Sequence, residues 1–119
     1  MTGRDTGILL KEILESIAII RDYLADADQQ TFLVQRITQD AVIRRLEILG
    51  EAASQLPTPI KDRFPSVDWR AITAMRNRLI HGYFTVNLTI VWNTVKSDLP
   101  LLEKQARAML LEVEREAES

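Results

Sequence analysis

The sequence predicts an all-α protein, an up-and-down bundle of four to five helices. Apolar residues recur at steps of three and four along most of the chain, the spacing of one face of a helix. The composition is rich in residues that favour helices, and glycine and proline number only four each. With 119 residues, the chain is long enough for one domain, so residues 1–119 are predicted to form a single helical domain.

The first two helices are predicted over residues 6–27 and 31–56, each with one apolar stripe. Gly50 lies inside the second stripe. Glycine lowers helix propensity, so this position indicates the close approach of another backbone. Pro57 and Pro59 are predicted to end the second helix.

A connector follows over residues 57–67, with one short helical turn predicted near residues 60–63. Asp68 is a suitable N-cap for a third helix, because its carboxylate can accept from free backbone N–H groups. This helix is predicted to end at Gly82, a residue that suits a left-handed C-terminal cap.

The fourth helix is predicted to begin after Asn87, which is also a good N-cap. Pro100 lies within its apolar stripe and lacks a backbone N–H. We therefore expect Pro100 to kink or restart the helix, with Asp98 or a neighbour capping the second piece.

The composition also argues against several classes of protein. The chain has no cysteine, which excludes a disulfide framework and a thiolate metal site and fits a reducing cytoplasm. Lys11, Glu12 and Glu15 interrupt the first apolar stretch, so neither a signal sequence nor a membrane span is expected. One histidine and scattered carboxylates offer no metal-ligand spacing, and we expect no metal and no cofactor.

The charge is unevenly distributed. A net charge of −2 and a pI of about 5.4 argue against a general electrostatic attraction to nucleic acid. Residues 61–78, however, carry a local charge of +3, which leaves −5 for the remainder. A basic zone on an acidic body can still hold a phosphate chain locally.

The only histidine, His81, lies near the end of the third predicted helix. Asn77 and Arg78 are four and three residues earlier, so both are its neighbours on the helix surface. Arg76 lies about 140° round a regular helix from His81, and could share a site with it only through its long side chain or a distorted last turn. Tyr83 is seven residues after Arg76 and would share its face.

These residue types suit the cleavage of RNA without a metal. The reaction needs a base for the 2′-hydroxyl, an acid for the leaving 5′-oxygen and a cation for the charged phosphorus centre. Histidine serves the first two roles and arginine the third. A two-fold homodimer would supply two copies of His81 to one cleft. From the spacing alone, a plain helix end is the more frequent explanation of His81-Gly82.

The stretch "RNRLIHGY", from Arg76 to Tyr83, resembles the Arg-x4-His-x-Tyr signature of HepT-like proteins, which are minimal members of the HEPN superfamily of helical ribonucleases. The stretches "DAVIRRLEILGEAASQL", "VDWRAITAMRNRLIHGYF" and "VWNTVKSDLPLLEKQ" resemble the second, third and fourth helices of that family. The resemblance covers nearly the whole chain.

The resemblance implies a HEPN-like helical bundle that dimerises around the motif and acts as a metal-independent endoribonuclease toxin on RNA. It implies that Arg76 and His81 are catalytic, with Asn77 and Arg78 in supporting roles. It also implies a minimal nucleotidyltransferase antitoxin as partner, which in this family transfers AMP onto the motif tyrosine, here Tyr83. The added phosphodiester would occupy the place of an RNA phosphate.

Two alternatives remain open at this stage. The same bundle could be a non-catalytic binding subunit that docks a nucleotidyltransferase, or a regulatory subunit that binds a nucleotide without hydrolysis. Glu51, directly after Gly50, could anchor an arginine or lie in solvent. Trp69 and Trp92 are expected to pack in the core or an interface rather than to stack on bases.

Overall fold

The computed structural model describes residues 3–82 and 86–118. Every regular segment in these two ranges is helical, which confirms the all-α prediction. Across them, no helix combines the length and apolar character that a membrane crossing requires. The helices are α1 (Gly3–Tyr23), α2 (Gln29–Val34), α3 (Arg36–Gln55), α4 (Thr58–Asp62), α5 (Trp69–His81), α6 (Leu88–Asn93) and α7 (Leu99–Ala117).

The central helix of the bundle is α1, which packs against α3 on one side and α7 on the other, while α5 packs against α3. Most of the predicted apolar stripe residues form the core, because burial of each large aliphatic side chain stabilises the fold by about 1.5–3 kcal/mol. The most deeply buried members are Leu10, Ile13, Ile17 and Ile20 of α1, Val42, Leu46 and Leu49 of α3, and Met109 of α7. Leu33 and Ile37 of the second predicted stripe and Ile90 of the fourth are exposed instead, so their assignment to the core was wrong.

The predicted boundaries of the first two helices were wrong. The first helix ends at Tyr23 rather than at residue 27, and the second is divided into α2 and α3 by Gln35, whose backbone is extended. Phe32 explains the division: it is fully buried and packs on Trp92 of α6, with ring centroids 5.6 Å apart. Because the backbone is extended at Gln35, α2 packs against α6 while α3 packs against α1.

Helix α5 begins as predicted but ends differently. The Asp68 carboxylate accepts from the backbone N–H of Ala71 at 3.0 Å, which confirms its role as N-cap. Gly82 follows the last helical residue, but its φ of −112° is not left-handed, so that prediction was wrong. The Gly82 N–H still donates to Arg78 O at 2.8 Å, and this continued helical bond needs no reversal of the backbone.

The fourth predicted helix is interrupted as expected. The Asn87 side chain caps α6, and a π-helical segment, Thr94–Asp98, joins α6 to α7. The Leu99 N–H donates to the oxygen of Thr94, five residues earlier, and this wider turn accommodates the Pro100 ring. Asp98 is the N-cap residue of α7, as predicted, but its side chain makes no capping hydrogen bond.

Candidate active site

The site is built where α5 crosses α3 at Gly50. A methyl group added at Gly50 would lie 2.6 Å from Cβ and 3.1 Å from Cγ of Arg76, which is too close for a real contact. The predicted close approach at Gly50 is therefore confirmed, and it places the stem of Arg76 directly against α3.

The Arg76 guanidinium is held by side chains of both helices. Its Nη1 donates to Glu51 Oε2 at 2.6 Å and to Ser54 Oγ at 3.1 Å, across the α3–α5 contact. Its Nε and Nη2 donate to a single atom, Asn77 Oδ1, at 3.1 and 2.8 Å. The Arg76 side chain is 21% exposed, so it is largely enclosed but still reaches solvent.

Glu51 is the anchor for an arginine that the sequence left undecided. Its second oxygen, Oε1, accepts from Gln55 Nε2 at 3.1 Å. The hydrogen bond from Gln55 and that from Arg76 lower the pKa of Glu51 below its usual value, so the group is a carboxylate at neutral pH.

His81 is the last residue of α5 and is exposed to solvent. The helix stays regular up to His81, so the distorted last turn considered above is absent, and His81 points about 140° away from Arg76 round the helix. Within the described residues, no side-chain hydrogen bond joins His81 to Arg76, Asn77 or Arg78. The structure thus brings Arg76 and Asn77 together, and leaves His81 apart from them.

Arg78 is exposed, and it lines two neighbouring grooves of about 450 and 190 Å³. The larger groove runs between α5 and the α6–α7 segment, and its rim includes the exposed apolar side chains of Ile90 and Leu101. In the part of the chain that the structure describes, Arg78 forms no ion pair. It is therefore available to an anionic ligand.

The basic zone of residues 61–78 is partly neutralised. Arg63 pairs with Glu116 at 2.6 Å and Glu112 at 3.5 Å, and Arg76 pairs with Glu51. Arg70 is exposed and makes no ion pair with a described residue.

Two residues at the site were missed by the sequence reasoning. Arg70 is seven and eleven residues before Asn77 and His81, and all three therefore share one exposed face of α5. Ser54 is three residues after Glu51, on the same face of α3. Helical spacing could have indicated both residues, because Arg70 lies on the same face as Asn77, and Ser54 on the same face as Glu51.

Tyr83 lies outside the described residues. Neither tryptophan is placed as a base-stacking platform: Trp69 donates from Nε1 to the Lys61 carbonyl at 3.3 Å, and Trp92 packs on Phe32. Over the described ranges, no group of three or more His, Cys, Asp or Glu side chains is arranged to hold a metal ion.

The fold is an all-α bundle of the kind found in the HEPN superfamily of small helical proteins. The family described as Ribonuclease HepT-like matches residues 13–109 of this chain. The chain belongs to the HepT-like ribonuclease family.

Curated relatives agree with this membership. The chain is 42% identical over 94 residues to "Probable ribonuclease HepT" of Thermococcus cleftensis, covering 79% of this chain and 86% of the relative. A candidate RNase of Methanocaldococcus jannaschii is 35% identical over 119 residues, covering 100% and 98% of the two chains.

A second Methanocaldococcus jannaschii protein, named as a gamma-glutamylcyclotransferase and candidate RNase, is 38% identical over 112 residues. The match covers 94% of this chain but spans only 50% of that relative. No solved structure matches the chain.

Proposed function

We propose that this protein is a metal-independent endoribonuclease toxin whose active site forms at the cleft of a homodimer. The observation that carries the proposal is that one short helix presents both a braced Arg76 and a solvent-exposed His81. Family membership supports ribonuclease activity, and the two side chains supply the chemistry that RNA cleavage needs.

In the proposed reaction, one His81 removes the proton from a 2′-hydroxyl, and the resulting oxygen attacks the adjacent phosphorus. The His81 of the second subunit protonates the leaving 5′-oxygen. Arg76 stabilises the negative charge that develops on the phosphate oxygens, because a planar guanidinium matches their geometry. Arg78 supports binding of the RNA backbone nearby, and Asn77 supports the site through the hydrogen bonds that its Oδ1 accepts from Arg76.

The divergence of Arg76 and His81 round α5 supports a dimer, since one regular helix does not direct both side chains at one point. The groove between α5 and α6–α7, with Ile90 and Leu101 on its rim, offers an apolar surface for a second copy. Two-fold pairing at this surface would bring two motif helices together with no additional residue.

Silencing is proposed to occur by adenylation of Tyr83. The partner is a minimal nucleotidyltransferase antitoxin, and the modified group is the phenol two residues after His81. AMP transfer adds bulk and a negative phosphodiester beside the arginines, in the position that an RNA phosphate would occupy. This part of the proposal is supported by the motif and by family membership alone.

The test is cleavage of bulk RNA in EDTA by unmodified wild-type protein and by His81→Ala. Intact mass first establishes that Tyr83 carries no AMP. We expect the wild type to cut and His81→Ala to lose about 100-fold or more in rate, since general acid-base catalysis contributes at least that much. Because His81 is exposed, the variant should keep the wild-type melting temperature.

Two outcomes would overturn the proposal. If wild type and His81→Ala cut equally, the activity belongs to a contaminant or to another site. If unmodified wild type does not cut at all, the bundle is better explained as a binding subunit that docks a nucleotidyltransferase or a nucleotide.

A further inference from the structure

The donors of Arg76 are almost fully used before any ligand arrives. A guanidinium has five N–H donors in a fixed planar fork. Both donors of Nη1 have partners in Glu51 and Ser54, while Nε and Nη2 each donate to Asn77 Oδ1. Only one N–H of Arg76, on Nη2, is left without a described partner.

The partners on α3 form a fixed anchor. The Ser54 hydroxyl donates its only proton to the backbone carbonyl of Glu51, at 2.7 Å. Its oxygen can therefore act only as an acceptor toward Arg76. The Glu51 carboxylate is held from the other side by Gln55 at 3.1 Å. A charged hydrogen bond of 2.6 Å from Nη1 to this carboxylate is of the strong, charge-assisted kind.

The partner on α5 is of a different kind. Asn77 offers a neutral amide oxygen, and this single atom covers the Nε–Nη2 edge of the guanidinium. That edge is one of those through which arginine binds a phosphate with two parallel bonds. A doubly bonded phosphate exchanges for one neutral oxygen more readily than for a carboxylate, and the exposed Asn77 side chain can move away.

We propose that Glu51 and Ser54 are positioning residues that lock Arg76 through Nη1, and that Asn77 holds the Nε–Nη2 edge until an RNA phosphate replaces it. The inference rests on the proposed ribonuclease function. The anchor removes rotational freedom from a long side chain before the reaction, and a prearranged cation stabilises a developing charge without reorganisation. Glu51 itself binds no phosphate, since it is an anion.

This arrangement predicts a characteristic split between kcat and KM. Glu51→Ala releases Nη1, so kcat for RNA should fall roughly 10- to 100-fold as Arg76 loses its orientation. KM should stay unchanged or fall, because the substitution removes a negative charge near the RNA. Glu51→Gln keeps an oxygen that can accept from Nη1 and should restore part of kcat. Ser54→Ala, which keeps the carboxylate anchor, should lower kcat less than Glu51→Ala.

Asn77→Ala separates the two roles that Asn77 could have. A side chain that only occupies the Nε–Nη2 edge can be removed without raising KM. A side chain that itself binds an RNA phosphate would raise KM when removed, and that result would overturn the exchange part of the proposal.

The matched control is Glu116→Ala. This substitution breaks an arginine–carboxylate pair of the same 2.6 Å length, between Arg63 and α7. It should leave kcat and KM at wild-type values. If Glu51→Ala changes kcat no more than Glu116→Ala does, or raises KM with kcat unchanged, Glu51 is not a positioning residue.

A second measurement does not depend on catalysis. Proton exchange at the Arg76 Nη1–H groups, followed by nitrogen-15 NMR of the full chain, should be slower in wild type than in Glu51→Ala, because Glu51 and Ser54 accept from Nη1. A 2′-O-methyl RNA, which cannot be cleaved, should shift the signal of the Arg76 Nε–H in wild type. Equal exchange rates in the two proteins would overturn the anchor, even if RNA is cleaved. Wild-type protein that shows the slow exchange but no cleavage would overturn the ribonuclease function and leave the anchor as a structural contact.

Discussion

Two helix contacts in this molecule contain the same pair of features, a glycine and an arginine–glutamate pair, yet they are built differently. Where α1 meets α7, a methyl group added at Gly7 would lie 3.9 Å from Leu110 Cδ1, an ordinary contact distance. Arg21 pairs with Glu103 at 2.7 Å across the same two helices. Where α3 meets α5, the methyl added at Gly50 would lie 2.6 Å from the Cβ of an arginine, and that arginine is itself the paired one.

The comparison separates a contact that only joins two helices from one that positions a side chain of the proposed site. At α1–α7, the glycine faces aliphatic side chains and the ion pair lies at the surface, with Arg21 56% exposed, so the two features are independent. At α3–α5, Gly50, Glu51 and Ser54 all act on Arg76. Helix packing there fixes the stem of one side chain, and hydrogen bonds fix its head.

The largest expected effect comes from exchanging arginine for lysine at each contact. One ammonium at residue 76 cannot hold Glu51 and Ser54 and also offer a two-bonded edge to phosphate. Arg76→Lys should therefore lower the rate of RNA cleavage about 100-fold although the charge is kept. Arg21→Lys, the matched control, should leave the rate unchanged.

Rates of RNA cleavage under one condition, with melting temperatures for both variants, check this expectation. If Arg76→Lys keeps the wild-type rate, charge alone suffices at this position. The fork geometry described for Arg76 would then have no part in the reaction.

The two glycines provide the next largest contrast. Alanine at a helical position gains up to about 1 kcal/mol over glycine where space allows, so Gly7→Ala should be neutral or stabilising. At Gly50 the methyl must displace a Cβ next to the backbone. Overpacking of this kind costs about 1–3 kcal/mol, so Gly50→Ala should lower the free energy of unfolding despite its better helix propensity.

Urea unfolding of both variants measures this contrast directly. Gly50→Ala should also reduce RNA cleavage, because it shifts α5 against α3 and moves Arg76. A Gly50→Ala protein that is as stable as Gly7→Ala would show that the contact at α3–α5 is easily adjusted.

Much of this fold could be predicted from the sequence, since helical periodicity and capping residues act locally. Asp68 and Asn87 cap the helices that follow them, and Gly50 marks a close approach. The break at Gln35 could not be predicted in this way. At this break, Phe32 contacts Trp92, which lies sixty residues later in the sequence. No local pattern of residues predicts a contact over that separation.

The candidate site likewise has one part that could be predicted from the sequence and one part that could not. The motif, from Arg76 to His81, is contiguous and could be found by spacing and resemblance. The bonds of Arg76 to Glu51 and Ser54 join residues more than twenty positions apart, at separations of 25 and 22 residues, so they follow from tertiary packing. The φ of Gly82 was predicted wrongly because its N–H continues the helical bond to Arg78.

The smallest expected effect is the pH dependence of the α1–α7 ion pair. Hydrogen bonding from Arg21 is the main cause that lowers the pKa of Glu103, with Arg107 adding a second bond at 3.1 Å. A carboxyl whose pKa is lowered by folding stabilises the protein above its unfolded pKa of about 4.3, and this contribution is lost as the pH falls through the lower folded value.

Glu103→Gln should therefore be less stable than wild type near neutral pH, by no more than about 1 kcal/mol because the pair is partly exposed. The difference should begin to close as the pH falls below the unfolded pKa of about 4.3, and should vanish once the pH lies below the lower folded pKa, since Glu103 is then protonated. Thermal unfolding across this range measures it, and a difference that stays constant or grows in acid would contradict the assignment. RNA cleavage by Glu103→Gln at neutral pH should equal that of wild type, whereas Glu51→Gln should not match it, because only the pair at α3–α5 holds a side chain of the proposed site.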